Sequence, residues 1–343
     1  MIQRWMGWIG VLLLSVTAVA QEGHHITLQV TNIKDTTGLL AFHYSQQKLI
    51  EDTLYFDSEG KAVVQGDEPL PRGIYLMVSP AQDYFEFIVA DDQHFTITTT
   101  GPDYVDNMSV EGSEENQVFL DDLRFVVQQR QQFDALQERL KRLEEAGSDS
   151  VNIVQAQLED IDGSVQTYRE KLIEEHPDLF YAKFLHALRD PEIKDPINPE
   201  TGETDSTYPY RYYKAHYFDR VDFSEAGMLR TPIFEQKLKT YIDQLTPKHP
   251  DSVIIASDYI LGKAQANKEV FKYTLAWLLN KYAKREMMGF DKVYVHLAEK
   301  YYLSGVADWV DKNQLKRIRQ DALKMKPLLL GEIAPNITAK TPT

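Results

Sequence analysis

The spacing of hydrophobic and polar positions changes once along the chain. Between residues 26 and 31, Ile26, Leu28 and Val30 alternate with Thr27, Gln29 and Thr31. That is the period of a strand with one buried face. Similar short runs recur at 38–44, 52–56, 62–64, 74–78, 85–89 and 95–99. Turn-forming clusters at 35–38, 57–60 and 71–73 separate some of them. Strands this short, at this spacing, predict an antiparallel β-sandwich over 24–111, within a domain spanning 21–112.

At Gly112 and Ser113 the period lengthens. Ser113 suits a helix N-cap, and Glu114 and Glu115 would then sit in the first turn, where the helix dipole favours acids. Phe119, Leu123, Val126, Phe133, Leu136, Leu140 and Leu143 recur at helical steps, interrupted at Arg130. Gly147–Ser150 breaks the pattern. Val151, Val154, Leu158, Ile161, Val165, Tyr168 and Leu172 then alternate steps of three and four, an a/d seam. The two runs predict an antiparallel helical hairpin over 113–175. Pro177 suits the first position of the next helix, whose apolar face holds Leu179, Phe180, Phe184, Leu185 and Leu188. Residues 190–209 hold four prolines and Gly202 and predict an exposed loop. Helices are expected at 210–218, 231–245, 252–266, 268–284, 290–304 and 313–326, bounded by proline and glycine. Together they predict an all-α domain over 113–327, a helical bundle or solenoid-like array without a clean 34-residue repeat. The fold class is therefore α+β multidomain, a β-sandwich followed by an all-α domain.

Composition adds an address and some exclusions. Arg4, the apolar run 8–16 and Ala18-Val19-Ala20 make a secretory signal peptide over 1–20. The chain of 343 residues has no cysteine, and its formal net charge is −15. Thiol chemistry and thiolate metal sites are ruled out. The acidic balance argues against nucleic acid and anionic membrane surfaces, which need a basic face. No membrane insertion is expected once the signal is removed.

Three stretches resemble a known arrangement. Gly331, Ala334 and Pro335, in GEIAPNI (331–337), resemble the G-x-x-A-P segment that opens thioredoxin-like domains of the TlpA/ResA and peroxiredoxin type. Asp52-Thr53, the turn at 57–60, Gly73-Ile74-Tyr75 and Phe95-x-Ile97 resemble a small β-domain of unknown function found at the N-terminus of exported thioredoxin-like proteins of Gram-negative bacteria. The segments 216–225, 229–238, 249–252, 288–302 and 307–311 resemble the helical domain of unknown function that lies between those two parts. The resemblance implies a signal peptide, a β-domain, a helical domain and a domain junction at 328–343 that would lead into a thioredoxin-like redox domain. The Cys-x-x-Cys of that family has no counterpart here.

Few residues suggest chemistry of their own. His216, Asp219, Asp222 and Glu225 form the most metal-like spacing, with His216 and Asp219 at i, i+3; helix capping and packing explain the same residues. His24-His25 would be a loose pair at a chain end. Asp52-Thr53, Asp149-Ser150 and Asp251-Ser252 are similar to acceptor sites of some envelope O-glycosylation systems, and Asp-Ser pairs also cap helices. Tyr208, Tyr210, Tyr212, Tyr213 and Tyr217 crowd the end of the long loop, a density that suits stacking on peptide or sugar but also suits a core. No catalytic residue, cofactor or metal is assigned. The expectation is a non-catalytic exported scaffold in the periplasm or cell envelope. It would position, dimerise or present clients to a thioredoxin-like domain, in cis or in trans. A stand-alone binding protein using the tyrosine face is the alternative.

Overall fold

The computed structural model describes residues 23–34, 36–146, 150–197, 199–284, 288–333 and 336. The expected signal peptide, Asp149, Ala334 and Pro335 lie outside the described residues.

The N-terminal region is a sandwich of two sheets. Its strands are β1 (His24–Val30), β2 (Thr36–Tyr44), β3 (Gln47–Phe56), β4 (Lys61–Gly66), β5 (Gly73–Val78), β6 (Tyr84–Val89), β7 (His94–Thr99) and β8 (Ser109–Glu111). One sheet runs β4-β1-β7-β8 and the other β3-β2-β5-β6. Ile26, Leu28, Tyr75, Met77, Phe85, Phe87, Phe95 and Ile97 fill the space between them. The sheets are antiparallel as expected except at one place: β1 and β7 run parallel, with Ile26 opposite Phe95 and Leu28 opposite Ile97. Parallel neighbours need a long crossover, and here everything from β2 to β6 serves as that connection.

A helical region follows. Helix α1 (Glu114–Glu145) and α2 (Val151–Glu175) form the expected hairpin, and Ser113 Oγ accepts the backbone N–H of Asn116 as N-cap. The seam positions of α2 behave as the pattern requires, with Val154, Ile161 and Leu172 buried. Then come α3 (Phe180–Leu188), α4 (Tyr208–His216), a 3-10 turn (Ala226–Arg230), α5 (Ile233–Asp243), α6 (Pro250–Ala264), α7 (Lys268–Ala283), α8 (Asp291–Leu297) and α9 (Lys312–Met325). Their core includes Phe218, Leu238, Ile260, Leu275, Leu278 and Leu297. Among the described residues, no helix is long and apolar enough to cross a membrane.

Most helix ends fall within two residues of expectation, and three differences have a local reason. Helix α3 starts at Phe180 and not at Pro177, because Glu115 of α1 caps it from outside, as described below. Helix α4 starts at Tyr208, two residues early, with Pro209 in its first turn, where a missing N–H is harmless. The single helix expected at 290–304 divides into α8 and a π-helical segment, Ala298–Leu303.

Candidate functional site

The seam between the sandwich and the helices carries the densest set of unusual side chains. It is built on the outer face of the β3-β2-β5-β6 sheet. Alternate residues of β5 and β6 point away from the sandwich core, and Ile74, Ile88 and Ala90 join the helical core instead. Asn116 reaches from α1 to the edge of β6. Its Oδ1 accepts the Ile88 N–H at 2.7 Å and its Nδ2 donates to the Ile88 carbonyl at 2.7 Å. The side chain thus stands in for one residue of a neighbouring strand, and a polar group that is 2% exposed is satisfied.

The turn between β2 and β3 is held in a similar way. Ser45 N donates to the Leu229 carbonyl at 2.8 Å, and Gln46 Nε2 donates to the Pro232 carbonyl at 2.8 Å. Ser45 Oγ donates to the Glu235 carboxylate, and Tyr273 Oη lies 2.6 Å from Ser45 Oγ and 2.8 Å from Glu235 Oε2. Burial pushes the Tyr273 hydroxyl well above the ordinary tyrosine range. The backbones approach closely at Gly73, where a Cβ would lie 2.3 Å from Cβ of Arg230. Nearby, Arg72 Nη1 meets Glu225 Oε2 at 3.2 Å, and its guanidinium lies 5.9 Å from the Phe180 ring centre.

Two buried acids tie the hairpin to this seam; sequence reading placed Glu115 only as a first-turn acid of α1 and did not single out Asp122. Glu115 accepts from Phe180 N at 3.1 Å and Tyr181 N at 2.5 Å, and so caps α3. Burial raises its carboxyl pKa; the two N–H groups and Arg72 oppose the rise. Asp122 is wholly buried. It receives Arg169 Nε at 3.1 and 3.2 Å, Arg169 Nη2 at 2.9 Å and the Tyr181 hydroxyl at 2.5 Å. Asp122 sits one helical step from Phe119, on the apolar side of α1. An acid at a seam position was the available signal.

The tyrosines separate into three environments. Tyr217 is 4% exposed and belongs to the core, which corrects its place on a binding surface; it packs against Phe218 and Tyr241. Tyr210 and Tyr213 are anchors. Tyr210 Oη donates to the Leu245 carbonyl at 2.7 Å. The Tyr213 hydroxyl is pushed up to about 12 by burial and by its bond to Asp190. Tyr208 and Tyr212 remain on the surface, half-buried, with ring centres 6.0 Å apart. Tyr212 lies 4.1 Å from the His216 ring and beneath Lys194 at 5.5 Å.

The metal-like spacing does not converge. His216 Nδ1 meets Asp219 Oδ2 at 2.6 Å. Asp222 turns to Ser224 and Lys183, and Glu225 to Arg72, Lys183 and the Gly227 N–H. No cluster of three potential metal ligands occurs among the described residues. A different acid gathers partners at the π-helical segment: Asp258 is contacted by His296 at 3.0 Å, Lys300 at 2.8 Å and Tyr301 at 2.8 Å. Burial pushes this carboxyl up, but the three donors outweigh it and hold it below its ordinary value. Of the residues proposed for the domain junction, Gly331 alone is described, with φ +93° in the left-handed region that glycine tolerates.

No curated protein and no solved structure matches the chain. Residues 166–325, from the second half of α2 to the last residue of α9, match a family model described as a domain of unknown function (DUF5106).

Proposed function

We propose that this chain is a non-catalytic scaffold region of an exported thioredoxin-like thiol–disulfide oxidoreductase, which positions a redox domain or its clients. The observation that supports the reading is the seam. Ile74, Ile88, Asn116, Ser45 and Arg72 join sandwich and helices through apolar packing and satisfied hydrogen bonds. Anything attached after α9 is then held at a set place relative to the sandwich. That exit is also apolar: Met288, Leu328, Leu330 and Ile333 are 87, 64, 72 and 93% exposed. Apolar side chains gathered at a chain exit suit the docking of a following domain.

The test begins with the gene. A reading frame that continues past codon 343 into a strand and a Cys-x-x-Cys sequence supports the reading. A stop codon there removes the cis form. The trans form is then tested by titrating a thioredoxin-like domain from the same envelope into this chain, and absence of binding at 0.1 mM, a concentration typical of weak pairs at roughly −5 kcal/mol, rejects it.

A second reading, a stand-alone binding protein for peptide or glycan, rests chiefly on Tyr208 and Tyr212, since Tyr210, though 44% exposed, is tied through its hydroxyl to the Leu245 carbonyl. Replacing Tyr208 and Tyr212 with Ser should abolish binding to a glycan or peptide array without changing the unfolding midpoint.

A further inference from the structure

A cleft of about 580 Å3 lies between α2, α3 and the start of the 190–207 connection, with Arg169 of the Asp122 clamp on one wall. Its apolar part comes from Val165, Leu185 and Leu188; its polar part includes Arg169, Arg189 and Arg220. Three guanidiniums line the cleft together with three acids, Glu170, Asp190 and Glu192, so what matters is how they pair.

The charges around the cleft do not all cancel. Arg169 is taken by Asp122, and Arg189 Nη2 donates to Glu170. Of the remaining acids, Asp190 faces Lys237 at 3.1 Å and Glu192 faces Lys194 at 2.7 Å. Arg220 is left over. Its Nη1 donates to the neutral Asp190 carbonyl at 2.7 Å, and among the described residues it has no ion pair. Arg220 and Arg189 act on the groups around them: His186 is driven below its ordinary pKa by burial and then by the two guanidiniums, and Glu192, held down first by Lys194, is lowered further by the same pair. The apolar side is usable as well, since Leu188 is 40% exposed although Leu185 beside it is buried.

We propose that this cleft binds a small carboxylate that carries an apolar group, the carboxylate on Arg220 and the apolar group against Leu188 and Val165. A guanidinium offers a planar, forked set of donors that fits a carboxylate. An adjoining apolar wall selects acids with a hydrocarbon body over acetate, by about fourfold in affinity for each methylene taken out of water. Both a medium-chain fatty acid and the C-terminal residue of a peptide present this chemistry. Pocket size does not separate them, so the experiment does.

The experiment is isothermal titration of the full chain with octanoate, N-acetyl-leucine, N-acetyl-leucinamide and acetate. Octanoate, N-acetyl-leucine or both should bind at least tenfold more tightly than acetate, and the amide at least tenfold more weakly than N-acetyl-leucine. Preference for octanoate assigns the fatty acid as source; preference for N-acetyl-leucine assigns the peptide end. Failure of both acids to bind at millimolar concentration overturns the proposal, as does binding of N-acetyl-leucinamide as tight as that of the better acid. Arg220→Gln should weaken the better acid at least tenfold with an unchanged circular dichroism spectrum; unchanged affinity overturns the site. If that variant does not fold, Leu188→Gln serves instead, because Leu188 is exposed. It should weaken octanoate about fivefold and leave acetate unchanged, and an unaltered octanoate affinity overturns the proposal. Glu192→Gln, which removes a competing acid from the cleft, should act in the opposite direction and tighten binding two- to threefold.

Discussion

Strands β5 and β7 sit in the two sheets of one sandwich, yet they read differently. In β7, burial alternates residue by residue: Phe95, Ile97 and Thr99 face inward, and His94, Thr96 and Thr98 are partly exposed. In β5, Gly73 through Met77 are buried without a break. The outer face at β7 meets water, and the outer face at β5 and β6 is covered by helices. A β-sandwich with one wet face per sheet alternates on every strand. A sheet covered on both sides must place apolar residues at consecutive positions. The run Ile74-Tyr75-Leu76-Met77 is therefore the mark of an interface as much as of a strand.

The largest expected effect tests that difference directly. Ile88→Ala, at a wholly buried position on the covered face, should destabilise the protein by about 3 kcal/mol in urea unfolding, within the usual range for cavity-forming core changes. Thr96→Ala on the open face should stay within about 0.5 kcal/mol. If the two variants lose the same stability, the seam is not a core. Next, Asn116→Ala removes both bonds to Ile88 and leaves a buried N–H and C=O without partners, for a loss of about 2 kcal/mol. Calorimetry should still give one transition for this variant if sandwich and helices unfold together; two transitions would mean that the seam couples them weakly. Tyr273→Phe, which removes the hydroxyl from the Ser45–Glu235 cluster, should lose about 1 kcal/mol.

The smallest effects are in pH dependence, and the two buried acids should act in opposite directions. The folded pKa of Glu115 is raised, so the stability it contributes is fullest below the unfolded carboxyl value and falls as pH rises through the folded one. The folded pKa of Asp258 is lowered, so its contribution is complete above the unfolded value and is lost as pH falls through the folded one. Relative to the parent, Glu115→Gln should become progressively less destabilising as the pH is raised from 4 toward 7. Asp258→Asn should be level over that range and become progressively less destabilising as the pH is lowered below the unfolded carboxyl value of about 3.9. Parallel stability-against-pH curves for parent and variants would contradict both assignments.

How much was legible in the sequence depended on whether the deciding contact was local. The seam of α2 could be read because Val154, Ile161 and Leu172 follow a helical period, which adjacent turns alone dictate. Ser113 could be read as a cap for the same reason. The β1–β7 parallel pairing could not, because nothing in β1 marks a partner more than sixty residues away. Among the tyrosines, sequence density could not separate Tyr217 in the core from Tyr208 and Tyr212 on the surface. Their fates are set by α5 and by the loop, not by neighbours in sequence. The burial of Glu115 and Asp122 was missed because an acid in a helix ordinarily faces water. What buries them is α3, more than fifty residues along the chain.

The clamp of Asp122, Arg169 and Tyr181 has a mechanical consequence. No described residue of α1 beyond Asp122 is buried, and the helix continues to Glu145 for roughly 35 Å at 1.5 Å per residue. The hairpin is a cantilever with its anchor at one end. A tilt of one degree at the anchor carries the far end about 0.6 Å, the arc swept by an arm of that helical length. A fluorophore at Arg139, about 25 Å along the arm, would therefore work as a pointer for tilts of about ten degrees, which carry it about 4 Å, a displacement that resonance energy transfer can read.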